Sequence, residues 1–286
     1  MGYGNWTRDA YTKLLRVKGY DHRSRSQIFA ASHIDPAMDP RNAAMRESRD
    51  SEEHPDSQAI IIALDVTGSM GFVPEIIVRK SLPDLMDRLM EAGVKHPQVL
   101  FMGLGDYVYD AAPLQVGQFE SSAELLDRWL TKVYLEGGGG ANNWESYNLA
   151  YLFAARHTGI DCWEKRKRKG ALITIGDEPC APNIPGEVIR DLTTEKQAGK
   201  VSTATLLEEA RERYEVMHLH LDHDSYAATR GRKQGWKKWL GDDFIVLQDY
   251  ERLAEILADL VVAKCPPTAG VETAGSELVA GTTPKL

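Results

Sequence analysis

The chain has 286 residues, 43% of them hydrophobic and 27% charged, and a formal net charge of −8. That is ordinary for a globular protein with a sizeable core, and the acidic balance argues against nonspecific binding to nucleic acid or an anionic membrane. No run approaches the ~18 apolar residues of a membrane span; the opening MGYGNWTRDAY lacks an apolar signal core, and Cys162, Cys180 and Cys265 at unrelated spacings read as reduced thiols, so a cytoplasmic setting is expected.

Residues 1–57 read as a polar, partly extended arm. Trp6, Ala10, Leu14 and Val17 fall near helical spacing, which predicts a short amphipathic helix over Trp6–Val17. HRSRSQIF and RESRDSEEHPDS, mixed in charge and rich in Ser, read as loop-like or extended. From residue 59 strands and helices alternate. The apolar run Ala59–Leu64, with three Ile, predicts a strand buried on both faces. A helix over Pro74–Ala92 follows, with Pro near its start and Gly93 just past its end. Gln98–Leu104 and Leu114–Phe119 predict two strands of a hairpin, and Ser122 caps a helix running to Val133. Beyond the loop EGGGGANN come a helix over Trp144–His157 and a second buried strand, Ala171–Ile175, ending in Gly176-Asp177-Glu178. Helix Thr203–Tyr214, strand Val216–Leu221, helix Gly235–Leu240, strand Phe244–Leu247 and helix Tyr250–Ala263 complete the series. The alternation predicts a doubly wound α/β domain over 58–265, with a mostly parallel sheet, one antiparallel hairpin strand and helices on both faces. Thr, Gly, Pro and Ala dominate 266–286, which reads as a disordered tail.

In such a sheet the loops at the carboxyl ends of the strands converge on one crevice. Three of these loops are polar in a coordinated way. In the first, DVTGSM, Asp65 ends the buried strand and Thr67 and Ser69 follow at alternate positions. The second, Gly137–Asn143, places Asn142 and Asn143 before a helix whose first turn holds Glu145 and Ser146. The third carries Asp177 and Glu178. Carboxylates, hydroxyls and amides make a hard, all-oxygen donor set suited to Mg²⁺, with Mn²⁺ or Ca²⁺ as alternatives. Asp65, Thr67, Ser69, Asp177, Asn142 and Asn143 are the candidate ligands. Asp106, Glu145, Ser146 and Glu178 are alternative ligands or outer partners of the ligands.

These residues resemble the metal-ion-dependent adhesion site of the von Willebrand factor A (vWA) family. The first motif of that family, D-x-[ST]-x-S, is matched by Asp65, Thr67 and Ser69, and its third, an Asp after a buried strand, by Asp177. Its second motif, a Thr in a Gly-rich loop, has no counterpart between Gly137 and Glu145, where Asn142 and Asn143 stand instead. The third motif reads GDE where many relatives have TDG; GDEPC is similar to the vWA domains attached to atypical alpha-kinases. More narrowly, the chain resembles stand-alone bacterial vWA proteins that work beside MoxR-type AAA+ ATPases. The resemblance implies a non-enzymatic adaptor that captures an Asp or Glu of a partner protein at the metal, with a MoxR-type ATPase as a partner.

Other readings compete at several positions. D-x-T-G-S also resembles the nucleophile loop of haloacid-dehalogenase-like phosphohydrolases, with Asp65 as nucleophile and Lys167 or Lys169 to neutralise phosphoryl charge. Thr67 stands where that family keeps a second carboxylate. His218 and His220 share a strand face, a pattern more often satisfied by neighbours than bound to zinc. KRKRKG at 165–170 reads as a solvated loop or, second, a face for an acidic partner. Trp236 and Trp239 fall on one helical face and are the candidates for docking, with packing on the sheet as the alternative.

Overall fold

The computed structural model describes residues 4–137, 144–222 and 226–267, with the backbone alone at 226–232. Ten strands form among these residues: β1 (Arg46–Ser48), β2 (Ser57–Asp65), β3 (His96–Leu104), β4 (Leu114–Val116), β5 (Thr158–Ile160), β6 (Gly170–Gly176), β7 (Asn183–Ile184), β8 (Val201–Ser202), β9 (Tyr214–Leu221) and β10 (Phe244–Leu247). Six of them build the central sheet in the order β10-β9-β6-β2-β3-β4. Five run parallel, and β4 returns antiparallel along β3 as the edge. This is the doubly wound α/β sheet with one antiparallel hairpin strand that the apolar runs predict. All nine residues of β2 and all seven of β6 are buried, because helices cover both faces and leave no strand face for polar side chains.

The two-residue period of β2 sorts its side chains between two cores. Ile60, Ile62 and Leu64 pack with Leu85, Leu89, Leu126, Leu130, Leu257 and Val261 from helices Leu82–Glu91, Ala123–Thr131 and Leu253–Lys264. Ala59, Ile61 and Ala63 face helices Asn148–Arg156 and Thr203–Arg211. Helix Asn148–Arg156 is buried along its whole length except Arg156, so it lacks the amphipathic stripe of a surface helix.

Three features differ from the sequence reading. The helix expected as one piece over Pro74–Ala92 is a turn at Val73–Ile76, a π-helical turn at Ile77–Ser81, then a regular helix Leu82–Glu91. Pro83 is the cause: it has no N–H to return to the Arg79 carbonyl, so the α ladder breaks just before it. The arm, for its part, contributes to the core. Trp6, Tyr11, Tyr20, Ile28, Phe29 and Met38 are all buried; the helix expected over Trp6–Val17 runs Arg8–Lys18 and buries Tyr11 while Val17 is exposed, so of these six only Trp6 is marked by helical spacing. The arm is tied down by Lys18 and Tyr20 on the fully buried Asp127. The basic run at 165–170, read as a solvated loop, is mostly paired within the chain. Arg166 binds Asp50 at 2.7 Å, Arg168 binds Asp56 at 2.8 Å, Lys165 binds Asp161 at 2.7 Å and Lys169 binds Glu215 at 3.4 Å. Most of the expected tail lies outside the described residues.

Candidate metal centre

Strand register brings the polar loops together. Asp65 pairs with Leu104 of β3, and Leu64 with Ile175 of β6. The loops after β2, β3 and β6 therefore leave the sheet side by side, β3 on one flank of β2 and β6 on the other, where a doubly wound sheet opens a crevice.

At that edge four side chains lie side by side as two hydrogen-bonded pairs in contact. Thr67 donates to Asp65 Oδ1 through both its backbone N–H (2.9 Å) and its Oγ1 (2.7 Å). Thr67 Oγ1 lies 3.3 Å from Ser69 Oγ, and Ser69 Oγ donates to Asp177 Oδ1 at 2.9 Å. Asp65 is fully buried, Thr67 and Asp177 are nearly so, and Ser69 is exposed at the mouth. So the expected first and third motifs are adjacent, and they meet through their hydroxyls.

The residue that the sequence reading missed is Tyr147. Its hydroxyl donates to Asp65 Oδ2 at 2.8 Å in the closed interior, so both oxygens of Asp65 are held. Gly176 makes room for it: a Cβ there would lie 1.9 Å from the Tyr147 hydroxyl. The signal in the sequence was the Gly itself, before Asp177 at the end of an apolar strand.

The outer candidates divide. Asp106 is buried and its Oδ1 accepts from Val108 N–H at 2.8 Å, closing its own loop. Ser146 Oγ accepts from Tyr107 N–H at 3.0 Å, so it braces that same loop. The Glu178 carbonyl accepts from Trp236 Nε1 at 3.0 Å. Glu145 is 7% exposed, and its Oε2 has no hydrogen-bond partner among the described residues. Asn142 and Asn143 lie outside the described residues.

No ion pair reaches Asp65, Asp177 or Glu145 among the described residues, and the titration of Asp65 and Glu145 reflects that. Burial pushes the Asp65 carboxyl up to about 7; the Thr67 and Tyr147 hydrogen bonds oppose the rise and the Asp177 carboxylate adds to it. Glu145 is pushed up to about 9, again by burial first, then by the negative charge of Asp65, Asp110, Asp106 and Glu178. These are carboxylates short of positive charge. Among the described residues no three His, Cys, Asp or Glu side chains converge as a metal cage. The donor set fitted to a cation here is instead two carboxylates and two hydroxyls, all oxygen and adjacent to one another, which is the chemistry of a hard divalent ion.

The tryptophans change role. Trp236 is 1% exposed and stacks on His218 with ring centroids 3.7 Å apart. It also holds the Glu178 carbonyl, so it supports the third loop from beneath and presents no docking face. Trp239 is partly buried against the same core. His218 accepts or donates at Thr174 Oγ1 (2.8 Å) and lies edge-on to Tyr147. Lys167 and Lys169 precede β6 and so sit at its far end from Asp65, ~20 Å away along a seven-residue strand. The cation that the phosphohydrolase reading requires is therefore not supplied by them.

No protein-family model and no curated protein matches the chain. Similar solved structures include the pilus adhesin SpaC of Lactobacillus rhamnosus GG in its open conformation, at 11% identity over 76% of this chain and 31% of that one, with a TM-score of 0.48. Proximal thread matrix protein 1 of the mussel byssus is similar at 12% identity over 73% and 49%, TM-score 0.48. A von Willebrand factor type A protein of Catenulispora acidiphila is similar at 12% identity over 73% and 43%, TM-score 0.41. The chain thus spans less than half the length of each of them, and likeness at this level carries no inference about ligand or partner.

Proposed function

We propose that the chain is a vWA-type binding module that holds Mg²⁺ at Asp65, Thr67, Ser69 and Asp177 and captures through it an Asp or Glu of a partner protein. The observation that most supports this reading is the row of four adjacent oxygen-bearing side chains at the mouth of the crevice, with Thr67 bonded to Asp65, Ser69 bonded to Asp177 and the two hydroxyl oxygens 3.3 Å apart. When bound, the cation supplies a positive centre with a position open to an incoming carboxylate. Asp65, anchored by Tyr147 and Thr67, holds a fixed negative charge at the floor. Thr67 and Ser69 would offer the ion neutral hydroxyl oxygens, which add no charge, so a bound cation would keep positive charge for one more carboxylate. Ser69, exposed, marks the side from which a partner approaches. In this reading the protein is a cytoplasmic bacterial adaptor, and a MoxR-type AAA+ ATPase is among its partners.

Calorimetric titration of Mg²⁺ into the wild type and Asp177→Ala, followed by affinity capture in Mg²⁺ and in EDTA, tests it. The expected result is a one-site isotherm lost in the variant, and a partner retained only by wild type in Mg²⁺. Equal isotherms, or identical captures under all four conditions, would overturn the reading.

A further inference from the structure

The helix that leaves the metal loop departs from regular register just before Pro83, and the N-terminal arm serves a carbonyl that this departure frees. At the π-helical turn the Leu82 N–H reaches back to the Ile77 carbonyl, five residues away, and not to Val78. The Val78 carbonyl has thus lost its α-helical donor, and the residue that would serve it in a π ladder is Pro83, which has no N–H. A buried carbonyl left in this way needs a partner. The arm provides it: the hydroxyl of the fully buried Tyr11 donates to the Val78 carbonyl at 2.7 Å.

Two further contacts bind the arm to the same segment. The Arg25 guanidinium donates to the Gly71 carbonyl, directly behind the Asp65–Ser69 loop. Gly71 itself has φ 50° and ψ −112°, a conformation that a side chain strongly disfavours. From the helix, Arg79 Nη2 donates to the Arg23 carbonyl at 2.5 Å, while its Nε is held by Glu75 at 2.8 Å. Every contact falls between Gly71 and Arg79, the stretch that joins the metal loop to the regular helix.

We infer that Tyr11 and Arg25 are positioning residues of the metal site: Pro83 opens the π turn, the arm locks that register by occupying the freed Val78 carbonyl, and the register sets the orientation of the loop bearing Thr67 and Ser69. Relaxing a π turn to an α turn removes one residue of slack, a rotation of about 100° and a rise of about 1.5 Å for everything on its amino-terminal side. Hydroxyls set to face a cation do not survive such a change. The inference rests on the proposed metal site.

The test is a titration of Mn²⁺ alone into the full chain, read by electron paramagnetic resonance, for wild type, Tyr11→Phe, Arg25→Gln and Tyr20→Phe. Tyr20→Phe is the matched control, since it deletes a buried hydroxyl of the same arm, bonded to Asp127 at 2.8 Å on a different helix. Tyr11→Phe is expected to weaken Mn²⁺ about tenfold, as loss of an outer partner of a metal ligand does. Arg25→Gln, at an exposed position, should weaken it with no change in melting temperature, and Tyr20→Phe should melt lower yet bind as wild type. Wild-type affinity in both Tyr11→Phe and Arg25→Gln would overturn the inference and leave the metal site standing. An equal loss in Tyr20→Phe would also overturn it, by reducing the effect to general loosening. If the wild type binds no Mn²⁺, the metal site falls and this inference falls with it.

Discussion

Replacing Asp65 by Asn should make the metal-free protein more stable. Asp65 is fully buried and its carboxyl is raised from the ordinary 3.8 to about 7. Its folded-state value lies above the unfolded one, so the native protein is stabilised relative to the unfolded chain at low pH. That advantage is complete below about pH 4 and is lost as pH rises through about 7. At pH 8 the ionised carboxylate therefore costs about 3 pH units at about 1.4 kcal/mol each, about 4 kcal/mol. Asn keeps the shape and the acceptor for Thr67, and gives up the charge. It also turns an amide NH₂ toward the Tyr147 hydroxyl, which loses its acceptor at a cost of about 1–2 kcal/mol. The net gain is about 2–3 kcal/mol, worth about 5 °C in melting temperature for a chain of this size.

The assay is thermal unfolding of the wild type and Asp65→Asn in EDTA at pH 8 and pH 5, then at pH 8 with excess Mg²⁺. The variant should melt higher at pH 8, and the difference should close at pH 5, where the wild-type carboxyl is protonated. Saturating Mg²⁺ at about a hundred times its Kd should return about 2.7 kcal/mol to the wild type and nothing to the variant. A variant that melts below wild type at pH 8 in EDTA would refute the reasoning, because Asp65 would then be compensated by something other than a cation.

Three further outcomes are expected. Tyr147→Phe removes the 2.8 Å donor to Asp65 Oδ2 and should weaken Mg²⁺ about tenfold by calorimetry; unchanged affinity would show that the hydroxyl does not orient the ligand. Trp236→Ala should cost about 3–5 kcal/mol in urea unfolding as a core truncation, whereas a docking residue would leave the midpoint in place. Asp127→Asn weakens the hold on Lys18 and Tyr20 and should cost about 1–3 kcal/mol, with faster proteolytic cleavage in the first 25 residues than in the wild type; an unaltered digestion pattern would contradict the anchoring.

The parts of the fold legible in sequence are those whose period is imposed by burial on two sides. β2, β3 and β6 read as continuous apolar runs because helices pack on both faces, and their ends mark Asp65, Asp106 and Asp177 without further help. The pieces that went unread obey no period. β1 and β5 pair over three residues each, too short for alternation to register. Arg166 and Asp50 are 116 positions apart, so a basic run looked solvated when its counter-charges were elsewhere in the chain. Trp236 stood in a basic, polar stretch, and only the stack on His218 shows which side of the helix faces inward. Tyr147 carries no mark of its own in the sequence. Its role depends on a single oxygen atom and on the missing Cβ of Gly176, and neither leaves a trace in hydropathy.

Charge placement links these observations to the site. The amino-terminal end of the sheet is where the chain spends its cations: Arg49 on Asp161, Arg166 on Asp50, Arg168 on Asp56 and Lys169 on Glu215. At the carboxyl-terminal end Asp65, Glu145 and Asp177 are buried like Asp161 and more deeply than Asp50, Asp56 or Glu215, yet no ion pair reaches them among the described residues. Burying carboxylates without compensation is a stability cost, and Arg49 relieves it for the buried Asp161 at the opposite end of the sheet. An asymmetry of this kind is what a binding site produces, because a resident Lys or Arg would occupy the position that a cation must fill. The hydroxyls of Thr67 and Ser69 fit the same logic: they add donors without cancelling charge, so a cation held there keeps enough of its own to attract a carboxylate from outside.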